Sequence, residues 1–300
     1  LSRALRLALA AALLPACTVK RTEKVDRSKL PPVLDATAAE LTTRFNRQAQ
    51  AIRSLNARVE LNPVAGSAYT GVIQDYRDVR GFLLAQRPAH IRMIGQAPVV
   101  AKNIFDMVSD GETFRIFIPS KSKFIVGPAD FTRAAKSPIE NLRPQHLLDA
   151  IFWSELARDT LFEEFEAETA SPTQPGHRYY VLTETRRTAA GSEVARKVWF
   201  DRSDLGVARI QVFSADGRVA TDARFADWQA PEQVPGGAPA ELRYPRSVRV
   251  GRPLDDYSLE IRITRLALNE EIAVERFRLE QPPGSELVQV GREEKKSPSR

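Results

Sequence analysis

One cysteine, three histidines and a few clustered carboxylates are the side chains in this 300-residue chain with chemistry to offer. Cys17 carries the most information, because it follows a short apolar run and closes the tetrapeptide Leu14-Pro15-Ala16-Cys17. Arg3 and Arg6 precede an apolar stretch from Leu7 to Leu14 that is too short to span a bilayer, the layout of an exported leader. An apolar residue, a small residue before the cut and a cysteine after it make a lipobox, whose cysteine thiol receives a diacylglyceryl group. Pro15 is an unusual second residue, and an ordinary leader with an incidental cysteine is the plainer alternative. On the lipobox reading residues 1–16 are a signal peptide and Cys17 is the lipidation site, with palmitate-type acyl chains as the membrane anchor. Each buried methylene contributes about 0.8 kcal/mol, so two or three chains hold a protein far longer than one. With its one thiol acylated, the chain has no disulfide.

The histidines His90, His146 and His177 are far apart in sequence, and no pair has the spacing of metal ligands. A serine nucleophile needs a glycine-flanked elbow or a partner histidine, and neither stands out. Gly236-Gly237 lies in a proline-rich stretch without the following helix that a phosphate cradle requires. Glu163-Glu164-Phe165-Glu166, Asp255-Asp256 and Glu270-Glu271 read as solvated charge at the ends of elements, although paired acids can do glycosidic chemistry. Asp201 and Asp204 lack the dense oxygen ligands of a calcium loop. The expectation is a protein without metal, cofactor or catalytic residues, and not an enzyme.

A formal net charge of +6 allows a nucleic-acid partner, an anionic lipid surface or mere solubility. Export argues against nucleic acid. The lysines and arginines are spread along the chain without a clustered stripe apart from Lys295-Lys296, which favours a solvated surface over attraction to anionic headgroups.

Residues 17–33 form a lipidated N-terminus and a polar, proline-ended tether. A helix is predicted from Leu34 to Leu55, because Leu34, Ala38, Leu41, Phe45, Ala49, Ile52 and Leu55 recur at helical spacing and Thr37 with Glu40 makes a capping box. The period then becomes two. Leu55, Ala57, Val59 and Leu61 alternate with polar residues, and about a dozen such runs follow, with Asp110-Gly111 and Asp216-Gly217 as hairpin turns. In the last long run the phase slips at Thr264-Arg265, which predicts a bulge. Pro144 opens a second helix reaching Leu156. The segment from Pro231 to Pro239 reads as a loop and residues 291–300 as a disordered tail. These signals predict one domain over residues 34–290, mainly β with covering helices, in which an antiparallel sheet must close or be covered.

Short motifs along most of the chain then resemble the LolA/LolB-like superfamily of lipoprotein carriers and lipid-binding envelope lipoproteins: Leu55-Asn56-Ala57-Arg58-Val59, Gly81-Phe82-Leu83-Leu84 leading to Arg87-Pro88, and Ser109-Asp110-Gly111-Glu112-Thr113-Phe114 followed by Ile118-Pro119 and Lys123-Phe124. Val198-Trp199-Phe200-Asp201, Phe225-Ala226-Asp227-Trp228 and Tyr244-Pro245-Arg246 continue it. The resemblance implies an unclosed, strongly curved antiparallel β-barrel with a helical lid over a cavity for acyl chains. It also implies lipid or acylated protein as cargo, and outer-membrane anchoring with the domain facing the periplasm. Candidate cavity residues are Val59, Phe82, Met93, Phe105, Phe117, Trp153, Trp199 and Phe213, each of which plain core packing would also explain. Pro98, Val99 and Val100 are the candidate loop for membrane contact or cargo transfer. The alternative function is a non-catalytic scaffold or sensor that binds another envelope protein.

Overall fold

A computed structural model describes residues 32–67, 72–75, 79–98, 102–129, 144–157, 161–166, 177–189, 191–232, 234–235 and 242–291. Cys17 and most of the tether lie outside the described residues.

Helix α1 (Ala38–Ala51) starts where the capping box demands: the Glu40 N–H donates to Thr37 Oγ1 at 3.2 Å, and the Thr37 N–H donates to Glu40 Oε2 at 2.8 Å. It is shorter than its apolar spacing predicts. Ile52 is already extended, so Leu34 and Leu55 belong to the flanking segments. No basic residue lies in the last turn of α1. Arg87 supplies the missing cation from elsewhere in the chain, donating to the Ala49 and Ile52 carbonyls at 3.0 Å each.

Period-two runs become strands. In chain order they are β1 (Ser54–Ser67), β2 (Val72–Asp75), β3 (Val79–Gln86), β4 (His90–Gln96), β5 (Asn103–Ser109), β6 (Thr113–Ile118) and β7 (Lys123–Pro128). Helix α2 (Pro144–Ile151) follows, and then β8 (Leu161–Glu166), β9 (Arg178–Thr188), β10 (Gly191–Asp201), β11 (Val207–Phe213), β12 (Val219–Gln229), β13 (Tyr244–Arg252), β14 (Tyr257–Leu268) and β15 (Glu286–Gln289). All join one sheet in the order β15-β7-β6-β5-β4-β3-β1-β14-β13-β12-β11-β10-β9-β8, with β2 folded back on the end of β1. The first half of the chain therefore steps outward from β1 on one side, whereas the second half starts at the opposite edge with β8 and steps back inward to β14 beside β1. Every pairing is antiparallel except that of β15 with β7, which is parallel. Among the described residues β8 and β15 stand at opposite ends of this order and do not pair with each other, so the curved sheet is not closed.

This topology explains the position of α2. The chain leaves one flank of the sheet at β7 and must reappear at the opposite edge as β8. The segment making that crossing carries α2, which packs on β4 and β5. The predicted extension of α2 to Leu156 is instead an irregular stretch after Ile151. Both helices lie on the concave face. Leu41 and Phe45 of α1, Leu147 and Ile151 of α2, Met93 and Met107 of one flank and Leu182 and Val198 of the other belong to a single buried cluster.

The phase slip is real. Arg58 lies opposite Arg265 and Val59 opposite Ile263, leaving Thr264 as the extra residue. Its hydroxyl donates to the Arg58 carbonyl at 3.2 Å. Beyond β14 the chain turns onto the outer face, where Ile272 and Phe277 cover Leu84 of β3 in a separate small cluster. Arg92 of β4 holds this strap, donating to the Arg276 carbonyl at 2.9 Å while it pairs with Asp106 at 2.7 Å. No helix among the described residues is long and apolar enough to cross a membrane.

Candidate functional site

A cleft of about 1150 Å³ opens beside α1, between that helix and the β10–β11 turn. Its apolar floor is built by packing rather than by any one segment. Phe45 of α1 stacks on Trp153 at 5.2 Å between ring centroids, and meets Phe200 of β10 edge-on at 6.3 Å. Trp153 in turn meets Phe225 at 5.1 Å and Trp228 at 5.9 Å. Phe225 and Trp228 are three residues apart on β12, which strict alternation would send to opposite faces. Between them Asp227 adopts a left-handed backbone, φ 57°, and this turn lets both rings reach Trp153.

Trp153 lies in the irregular stretch after α2, and two arginines and an asparagine fix that stretch. The Asn46 side chain of α1 accepts from the Leu156 N–H at 2.8 Å and donates to the Leu156 carbonyl at 3.2 Å. Arg196 of β10, paired with Glu184 at 2.8 Å, donates to the Ser154 and Glu155 carbonyls. Arg87 donates to the Trp153 carbonyl at 2.8 Å. Arg196 and Arg87 also cover the faces of Phe45 and Phe152. The stretch is thus tied to α1 and to both flanks of the sheet.

The rim is charged. Asp35, Glu40 and Asp204 stand toward the N-terminal end of α1, whereas Arg47, Gln48 and Arg243 lie toward its C-terminal half. The Glu40 carboxyl is held below the usual range by the backbone and then the hydroxyl of Thr37. Asp204 accepts from the Gly206 N–H at 2.7 Å, and Asp201 accepts from the Ser203 N–H at 2.8 Å. Both aspartates shape the β10–β11 turn. Burial would raise Asp201, but the bonds from Ser203 and His177 prevail and lower it. His177 Nδ1 lies 2.9 Å from that carboxylate. Serine and histidine therefore both address the acid, an arrangement in which the imidazole does not activate the hydroxyl. Among the described residues no histidine or cysteine lines the cleft and no metal-binding cluster occurs.

Of the candidate cavity residues, Trp153 lines the cleft. Val59, Met93 and Phe105 are buried in the core cluster, Phe105 with its ring over Gly95, where a Cβ would stand 2.4 Å from it. Phe82 and Phe117 are placed on the outer face by the register, opposite Arg58 and Asp106, and Phe82 is 39% exposed. Trp199 also faces outward, opposite Arg209, whose guanidinium covers its ring at 5.0 Å. Phe213 is half-buried at the end of β11, beside a register shift. These four lie outside the cleft lining. Pro98 is exposed at a hairpin end that the Ala97 N–H closes on the Lys102 carbonyl at 2.9 Å; Val99 and Val100 lie outside the described residues. The floor residues Phe45, Phe200 and Trp228 are hidden in ordinary helical and strand patterns, and Leu242 lies in the connection before β13.

No protein-family model matches the chain, and no curated protein matches it in sequence. Solved structures do match it in shape. A LolA superfamily protein from Nitrosomonas europaea is 14% identical with a TM-score of 0.43, the match covering 82% of this chain and 99% of that one. A DUF1329 family protein from Desulfovibrio piger is 11% identical with a TM-score of 0.47, over 79% of this chain and 94% of that one. A domain named as an outer membrane lipoprotein-sorting protein, from Vibrio parahaemolyticus, is 9% identical with a TM-score of 0.43, over the same shares, 79% and 94%. The chain is similar to LolA-type structures. With identities of 14% or less and TM-scores of 0.47 or less, the likeness concerns the fold and says nothing of ligand or partner.

Proposed function

We propose that this chain is a membrane-anchored envelope lipoprotein that binds an acyl chain, of a lipid or of an acylated protein, in the cleft beside α1. The cleft itself carries the reading. Its volume of about 1150 Å³ lies slightly above the range of about 300–1,000 Å³ usual for small-molecule sites. Its floor is aromatic and aliphatic, and its charges stand on the rim. Apolar tail inside and polar head at the mouth is the distribution an amphiphile requires. Each methylene withdrawn from water into such a floor contributes about 0.8 kcal/mol. The acyl anchor at Cys17 and a place on the outer membrane, facing the periplasm, belong to the same proposal, in which cargo is handed on without a chemical step.

Titration with a naturally fluorescent polyene fatty acid tests it, because Trp153 and Trp228 would transfer excitation to a chain lying in the cleft. Saturable transfer is expected, weakened by Trp153→Phe with Trp228→Phe while binding persists, since Trp199 on the outer face remains as a donor. Binding that survives Phe200→Glu and Leu242→Glu together, in a folded protein, would place the ligand elsewhere and defeat the assignment.

A further inference from the structure

The outer face of the sheet collects what the sequence scatters. Side chains between the buried positions of a strand point away from the concave core, and the register aligns them across neighbours. Arg209, Arg224 and Arg249 stand side by side on β11, β12 and β13. One row along, Arg262 of β14 and Arg80 of β3 flank Glu60 of β1. In the next row Arg265 of β14 lies directly opposite Arg58 of β1, and Phe82 of β3 lies on the other side of Arg58. Arginines well separated in the chain thus share one surface.

The acids of that surface are few and partly committed. Asp222 pairs with Arg209 at 2.6 Å and approaches Arg224 at 3.8 Å, and Glu260 lies 3.6 Å from Arg249. The guanidinium groups of Arg58, Arg80, Arg262 and Arg265 are exposed and take no hydrogen bond or ion pair among the described residues. Like charges directly opposite on adjacent strands destabilise a sheet. The Arg58 and Arg265 pair is therefore a cost within the folded chain, and Phe82, 39% exposed among these charges, is a second one.

A partner with closely spaced anionic oxygens removes both costs. Guanidinium groups present forked donors that match phosphate oxygens, and an aromatic ring is at home in the interfacial layer of a membrane. The geometry favours a continuous surface over a discrete one. From β11 to β3 the rows span six strands, about 24 Å at the usual strand spacing. Along them the one large exposed apolar side chain among the described residues is Phe82, on the end strand β3, whereas the buried core of a protein interface is depleted in charge and rich in apolar area. A bilayer offers phosphate along that whole width and requires no matching register.

We propose that the outer face of β1, β3 and β11–β14 docks on the anionic phospholipid headgroups of a bilayer, with Phe82 entering the interfacial layer. This surface is on the side of the sheet opposite α1 and is independent of what the cleft binds. A Cys17→Ala chain, which lacks the acyl anchor, is sedimented with phosphatidylcholine vesicles and with vesicles containing phosphatidylglycerol, and the ratio of the two partition coefficients is read.

The ratio favours the anionic vesicles and falls as salt rises. Each arginine near an anionic surface is worth about fivefold in partitioning, at about 1 kcal/mol per charge. Arg58→Gln with Arg265→Gln therefore lowers the ratio about 25-fold, and adding Arg80→Gln and Arg262→Gln removes the preference. Lysine at the same positions retains most of it. Phe82→Ala weakens binding but leaves the salt dependence. Thermal melting shows the glutamine variants folded, the Arg58 and Arg265 pair melting slightly higher than the parent because the opposed charges are gone. Equal binding to both vesicle types, or an unchanged ratio in the folded glutamine variants, overturns the proposal; an acidic protein partner would give that result.

Discussion

Asn46 of α1 and Leu156 of the crossing segment exchange two hydrogen bonds, the Asn46 amide accepting from the Leu156 N–H at 2.8 Å and donating to its carbonyl at 3.2 Å. A side-chain amide here takes the place of a paired backbone. It fixes the stretch that carries Trp153, and so the floor of the cleft, against the helix that forms its wall.

Removing that amide leaves two backbone groups unpaired. Asn46→Ala is expected to cost about 1–3 kcal/mol of stability by urea unfolding, with a shift in tryptophan emission as Trp153 loosens. Thr43→Ala on the same helix, where the exposed hydroxyl bonds only the Ala39 carbonyl, should stay within about 0.5 kcal/mol. Equal effects at the two positions would deny the Asn46 pairing its role.

Arg87 joins three carbonyls, those of Ala49, Ile52 and Trp153. Arg87→Lys keeps the charge near the end of α1 but cannot reproduce a planar fork. It is expected to lose about 1–2 kcal/mol and to increase hydrogen exchange at both the end of α1 and the stretch after α2. Faster exchange at only one of these would show that Arg87 does not couple them.

Alkaline unfolding should report Tyr244. Burial pushes its phenol far above the ordinary value of about 10, and its hydroxyl donates to the Ile151 carbonyl at 3.2 Å. A raised pKa in the folded state means that the neutral phenol is the form the fold favours. Its contribution is complete below pH 10 or so and falls as pH rises above that. Tyr244→Phe is expected to cost about 1 kcal/mol at neutral pH and to flatten the decline of stability above pH 10 or so. An unchanged alkaline slope in the variant would contradict this.

In the β11–β12 hairpin, bonds from Ser214 and then Arg218 lower the Asp216 carboxyl to about 2. Its stabilising effect should be intact above the unfolded value of about 3.9 and should disappear as pH falls through about 2. A carboxyl carbon titration by nuclear magnetic resonance checks it; a midpoint near the ordinary aspartate value would refute the hairpin network.

The hairpin end after Pro98 is the candidate for membrane contact or cargo release. Changing Val99 and Val100 together to Glu should leave a folded protein with impaired transfer of a lipidated substrate to vesicles. Unfolding, or unaltered transfer, would remove the loop from the account.

Much of this architecture was legible in the chain. The Thr37–Glu40 capping box fixed the start of α1, and the phase slip at Thr264 appeared as a bulge because one misplaced apolar period has few other solutions. Strand β8 was not legible: Glu163, Glu164 and Glu166 give it the composition of a solvated end, and only pairing with β9 makes it a strand. Parallel addition of β15 to β7 depends on where a long strap arrives, which no local pattern encodes. For the site, the sequence identified Trp153 but also chose Trp199, because Val198, Trp199 and Phe200 are all apolar and their alternation does not say which ring faces inward. Phe82 misled in the same way, with glycine as its inward neighbour. Trp228 escaped because the left-handed Asp227 breaks the period that would have placed it. The arginine surface was invisible for a related reason, since its members become neighbours only through cross-strand register.

Native mass spectrometry of the Cys17→Ala chain, purified from the bacterial envelope under mild conditions, tests the central claim most directly. The account predicts one added mass matching an acyl lipid, retained in Trp199→Phe and lost when Phe200 and Leu242 on the cleft floor are both changed to Glu. A bare polypeptide mass, both as isolated and after incubation with palmitate-bearing lipid, would contradict it.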